Sequence, residues 1–180
     1  MKKLFLVALM AVFTSSAFAQ LITSNRTVYN KSHNVWVDFG VGTYTGDWNN
    51  TGVGLDLGFR YTKMFTDNIG WDIVKFSVQT DTKNFSNALN LQGKTGLRVV
   101  SPVVFGESKI YANFAGGYGR YFGDIKEGGF AWEIGAGLNV TPRFAVGINY
   151  NSCNYKIDVY RVGKETVKVG LLSLRVAYAL

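Results

Sequence analysis

The chain of 180 residues holds one cysteine, one histidine and two prolines. A lone thiol closes no intramolecular disulfide, so Cys153 reads as an incidental thiol of a loop or rim. With His33 as the only imidazole, no His, Cys, Asp or Glu set has metal-ligand spacing, and no metal or other cofactor is expected. Beyond the first 20 residues no stretch comes near 18 unbroken apolar residues, which excludes a membrane-spanning helix. Any crossing of a bilayer must then use strands closed on themselves, because an open sheet edge cannot face lipid. Scarce proline leaves room for long strands. What is plentiful is glycine, 21 residues, and aromatic side chains at 15%, a mixture that suits strands and membrane interfaces.

The N-terminus has the pattern of a secretory signal. Lys2 and Lys3 precede a short apolar run, Leu4 to Phe13, and Ala17-Phe18-Ala19 supplies a small-residue cleavage site. We therefore divide the chain into a signal peptide over 1–19, a polar lead-in over 20–33 and one domain over 34–180. Removing Lys2 and Lys3 from the 19 bases leaves 17 against 12 acids, a net +5. The bases are scattered and the protein is expected to be exported, so no nucleic-acid partner is expected. Membrane lipid is, with lipopolysaccharide a candidate contact for exposed bases.

From Val35 onward the sequence alternates between apolar and small or polar residues in eight runs. Val53, Leu55, Leu57, Phe59 and Tyr61 share one phase, while Gly54, Asp56, Gly58 and Arg60 share the other. Alternation of period two is the mark of a strand with two unlike faces. The runs fall near 34–44, 51–62, 69–79, 88–100, 108–121, 129–140, 143–152 and 166–180, with Pro102 expected to end the fourth. In the third, Trp71 and Ile73 set one phase and Phe76 and Val78 another, which predicts a bulge near Val74-Lys75. About ten residues tilted by some 40° rise about 25 Å, the height of an outer-membrane apolar band. The expected fold is all-β, an eight-stranded antiparallel transmembrane up-and-down barrel. Compact turns follow strands two, four and six. Longer polar loops follow the odd-numbered strands, the last spanning 152–165.

The apolar phase is expected to face outward. The other phase is rich in glycine, which suits a narrow interior. Aromatics gather near strand ends (Tyr44, Tyr61, Trp71, Tyr118, Tyr121, Phe130, Phe144, Tyr150, Tyr178), as girdles at the two interfaces would. Charges within the runs mostly keep to the polar phase and balance. Asp38, Asp56, Asp72 and Glu133 would meet Arg60, Lys94, Arg98 and Arg175 in the lumen, since buried charge is tolerated when paired. The inverse arrangement, apolar phase inward, would be a secreted soluble lipocalin-like barrel around an apolar ligand.

The last strand carries Leu172, Leu174, Val176, Tyr178 and Leu180 at every second position to the chain end. Here the sequence resembles the small outer-membrane β-barrel family of OmpX/OmpA-membrane-domain type, a porin-like group. The segment Tyr61-Thr62-Lys63-Met64-Phe65-Thr66-Asp67-Asn68 looks like that family's periplasmic turn. The resemblance implies location in the outer membrane of a Gram-negative bacterium. It implies that those five residues are an insertion signal for the barrel-assembly machinery, although Leu180 stands where the family usually ends in Phe.

No catalytic residue emerges. An acyl-transfer site at the outer rim needs a nucleophile beside a base, and His33 lies a strand's length away, so the chain is expected not to be an enzyme. Gly116-Gly117-Tyr118-Gly119 precedes no helical pattern and is not a nucleotide loop. The reading is a structural or surface-interaction barrel with a side-chain-plugged lumen. The alternative is a narrow porin for small polar solutes. The loops near Trp48, Asn84, Lys126 and Lys164 name no extracellular partner.

Overall fold

The computed structural model describes residues 35–47, 52–82, 88–123, 127–159 and 163–180. The signal peptide over 1–19, the lead-in over 20–33 with His33, and Trp48, Asn84 and Lys126 lie outside the described residues. Eight strands follow one another: β1 (Val35–Gly46), β2 (Val53–Met64), β3 (Ile69–Asp81), β4 (Ala88–Phe105), β5 (Ser108–Gly123), β6 (Gly128–Asn139), β7 (Phe144–Val159) and β8 (Gly163–Ala179). Each pairs antiparallel with the next, and β8 returns to β1 through pairs such as Phe39↔Val176 and Gly42↔Ser173, so the sheet closes. Closure leaves no strand at an open sheet edge, as a hydrocarbon solvent demands.

The apolar phase faces out. Phe39, Leu57, Phe114 and Leu174 are half or more exposed, whereas Asp38, Asp56 and Gly58 in the alternate phase are buried. A soluble barrel around an apolar ligand would show the reverse. In β3 the pairing with β2 jumps from Tyr61↔Val74 to Thr62↔Asp72, and that with β4 from Asp72↔Gly96 to Lys75↔Lys94. The extra residue is the expected bulge. It turns Lys75 inward and Phe76 outward. Thr95 mends the broken ladder: its hydroxyl donates to the Asp72 carbonyl at 2.9 Å and accepts from the Trp71 indole at 2.8 Å.

Several boundaries differ from expectation. Pro102 does not end β4, which continues to Phe105 through register shifts beyond Val100. Proline is tolerated where the ladder is already irregular, and the Ser101 hydroxyl accepts the Ile110 amide at 2.8 Å in place of a ladder bond. The two-residue turn that follows uses Gly106 at φ +58°, a left-handed conformation that glycine adopts freely. The loop expected over 152–165 is instead a hairpin extension, with pairs running to Val159↔Gly163. Polar residues misled there because strands that rise above the bilayer need no apolar phase.

Candidate functional site

The interior is built in three layers by the inward phase of the strands. The layer at the short-turn end joins Trp36 of β1, Val100 of β4, Tyr111 of β5 and Ala145, Ala177 and Ala179 of β7 and β8. Two guanidinium groups lie against its rings. Arg98 sits 4.0 Å from the Tyr111 centroid and 5.8 Å from that of Trp36, and Arg60 sits 5.2 Å from Trp36. Arg98 also donates to the Asn139 side-chain carbonyl at 3.2 Å. Arg60 lies 3.6 Å from the Asp38 carboxylate, and the Thr62 hydroxyl donates to Asp72 at 2.6 Å.

The central layer is organised by Glu133 of β6, which is fully buried. Its Oε1 receives Lys75 of β3, Arg175 of β8 at 3.1 Å and the Asn113 amide at 2.9 Å. Its Oε2 lies 2.8 Å from the Lys94 ammonium of β4. Arg175 reaches on to Asp56 of β2 at 2.6 Å, and the Asn151 amide donates to the same carboxylate oxygen at 3.1 Å. Lys94 donates to Gln92 at 2.8 Å and to Asn151. Three bases thus surround two acids. β3 and β6 lie on nearly opposite walls of an eight-strand ring, so the Lys75–Glu133 contact crosses the bore. Charges withdrawn from water need this density of partners, because each lost hydration shell must be replaced.

The third layer, toward the long-loop end, is apolar and aromatic: Tyr44, Tyr121, Tyr155, Leu171, Val169, Cys153 and Ala131. Tyr121 and Tyr155 meet edge to face with centroids 5.9 Å apart. Two expectations are corrected here. Tyr44 and Tyr121 belong to no interfacial girdle, since they share the inward phase with Gly42 and Gly119 and are buried. Cys153 is no rim thiol but a free, fully buried side chain of β7.

Asp38, Asp56, Arg60, Asp72, Lys94, Arg98, Glu133 and Arg175 are all buried on the inner face. Among the described residues Lys75, Asp81 and Lys109 are buried charges too, giving five acids and six bases. Lys75 escaped the sequence reading because the bulge moves it into the opposite phase from Trp71 and Ile73. The amides of Asn113, Asn149 and Asn151 escaped because inward asparagines look like ordinary polar-face residues until a charge is placed beside them. Leu172, Leu174, Val176, Tyr178 and Leu180 lie exposed on the outer face of the last strand and the chain end.

The family model for the outer membrane protein beta-barrel domain matches residues 5–179. None of the curated proteins matches the sequence. Among solved structures the chain is similar to the outer membrane enzyme PagL, at 16% identity and a TM-score of 0.56, covering 81% of this chain and 99% of that one. It is also similar to Neisserial surface protein A, at 15% identity and 0.49 over 81% and 96%, and to the attachment invasion locus protein Ail of Yersinia pestis, at 18% and 0.43 over the same shares. The likeness to PagL corrects the expectation of a chain that is not an enzyme. A barrel of this shape carries an enzyme elsewhere, and chemistry resides in sites grafted onto a fold, so neither the fold nor a histidine count decides the matter. The closed eight-strand sheet, its apolar exterior and the match across nearly the whole sequence converge: the chain belongs to the outer membrane protein beta-barrel domain family.

Proposed function

We propose that the protein is exported by its N-terminal signal and serves the outer membrane as a structural or surface-interaction barrel whose lumen is closed by its own side chains. The single observation that carries the closed lumen is Glu133 meeting Lys75, Lys94 and Arg175 across the bore. Eight strands leave an interior just wide enough for side chains, and an ion-paired bridge with aromatic layers above and below leaves solutes no continuous wet path. The test is conductance of the purified barrel in planar bilayers. A closed lumen gives no steady current. A stable ohmic current would instead establish the narrow porin for small polar solutes, with the central charges as its filter.

The partners in this reading are membrane lipid, with lipopolysaccharide meeting exposed bases, and the barrel-insertion machinery. The last strand supports the second: Leu172, Leu174, Val176, Tyr178 and Leu180 form an unbroken apolar row on its outer face. Replacing Tyr178 and Leu180 with Asn is expected to lower the yield of folded barrel in cells, seen as loss of the band that migrates faster unheated than boiled. Unassisted refolding into detergent should change little. Equal losses in both settings would make these residues packing elements and nothing more.

A further inference from the structure

The outer face of β3–β5 carries a recess of about 290 Å³ lined by Ile73, Phe76, Gly93, Thr95 and Gly116, among others. It exists because two outward positions lack side chains. A Cβ on Gly93 would meet the Phe76 ring at 3.6 Å, and one on Gly116 the Phe130 ring at 3.7 Å, both ordinary contacts. Neither glycine has a positive φ. The fold would therefore accept a Cβ at both. Inward glycines differ: a Cβ on Gly96 or Gly117 would lie 2.1 or 2.0 Å from a neighbouring carbonyl oxygen. Glycine inside a strand weakens it and often marks where something approaches closely. The Thr95 hydroxyl in the recess lining is already engaged, accepting from the Trp71 indole and donating to the Asp72 carbonyl.

A second feature lies along the same strand. Arg120 is in phase with Gly116, four residues nearer the long-loop rim, and is exposed with its guanidinium 5.3 Å from the Phe122 ring. Four residues of strand span about 13 Å. An apolar slot in the hydrocarbon-facing belt, with an outward base about that far above it, is complementary to an amphiphile. A guanidinium suits a phosphate through paired, charge-assisted hydrogen bonds. The recess opens on the lipid-facing surface, so the occupant within reach is a chain from the bilayer itself.

We propose that the β3–β5 recess holds one acyl chain of an anionic, phosphate-bearing lipid whose headgroup is bound by Arg120. This deepens the membrane-lipid reading above and rests on it; it does not depend on whether the lumen conducts.

The test is native mass spectrometry of the full barrel, released by nonionic detergent from vesicles of equal phosphatidylglycerol and phosphatidylcholine. The wild type is expected to retain one phosphatidylglycerol. The double variant Gly93→Leu/Gly116→Leu should lose the bound lipid, and Arg120→Gln should keep a lipid but no longer prefer phosphatidylglycerol. Faster migration of unheated protein verifies that each variant is folded. Should a filling variant fail that check, Gly116→Ala alone, whose Cβ has ordinary room, should weaken retention. Wild type released bare, equal retention by the filled variant, an unchanged preference in Arg120→Gln, or a dimer that disappears when the recess is filled would each overturn the proposal. Failure of the membrane reading itself would look different: the protein would leave the vesicles without detergent.

Discussion

Glu133 and Ile134 are neighbours in the chain and live in different solvents. Glu133 is fully buried in the lumen among Lys75, Lys94 and Arg175, while Ile134 is 43% exposed on the outer face. In a water-soluble barrel the assignments would be exchanged. Here hydrocarbon is the outer solvent, and the polar groups have only one another. The inner face must therefore be solved as a network, each member defined by its partners. The outer face tolerates any apolar residue that meets lipid. The two faces should differ sharply in what a substitution costs.

The largest effect is expected at the centre of the inner face. Glu133→Ala leaves Lys75 and Lys94 without their carboxylate and Arg175 with Asp56 alone, and loss of one partner from a buried charge cluster costs about 3–5 kcal/mol. Urea unfolding in lipid vesicles measures it, and a midpoint equal to wild type would mean that the central charges are not stabilised by pairing. A smaller but still large loss, about 2–4 kcal/mol, is expected from Leu57→Arg, which puts a cation on the hydrocarbon face near mid-strand. The same assay, or spin probes at Leu57 and Ile134 reporting aqueous surroundings, would break the comparison outright.

Between the faces lies Thr95, which faces lipid yet performs a polar task at the β3 bulge. Thr95→Val keeps the shape but orphans the Asp72 carbonyl and the Trp71 indole, and should cost about 1–3 kcal/mol. If it costs no more than a neutral exterior exchange, the bulge needs no side-chain bond. The smallest effect is expected at Tyr111→Leu, which keeps apolar filling while removing the ring beneath Arg98. About 0.5–2 kcal/mol should be lost, and a double-mutant cycle with Arg98→Met would assign that loss to the contact.

The strands that cross the apolar belt were legible because one period-two signal carries their type, length and facing at once. Val53 to Tyr61 reads as a strand from its own nine residues alone. Legibility failed where the belt ends. The upper parts of β7 and β8 read as loop because hydrogen-bonded hairpins above the membrane carry no apolar phase, and Pro102 read as a stop because its tolerance depends on the Ser101–Ile110 bond across the ladder. Tyr44 and Tyr121 suit girdles by residue type alone, whereas their phase, shared with Gly42 and Gly119, points inward.

Sequence alone determined the class of the molecule: eight two-faced strands, too apolar on one side for water and too charged on the other for lipid. Alternation is a local property of the backbone, since successive side chains must point to opposite faces, and no long-range contact is needed to establish it. The tertiary structure decided everything that depends on which strands face each other across the bore. Lys75 joins Glu133 because a one-residue bulge reverses its facing and ring closure brings β3 opposite β6. Neither distance along the chain nor composition carries that information, because a charge cluster is defined by closure of the whole sheet.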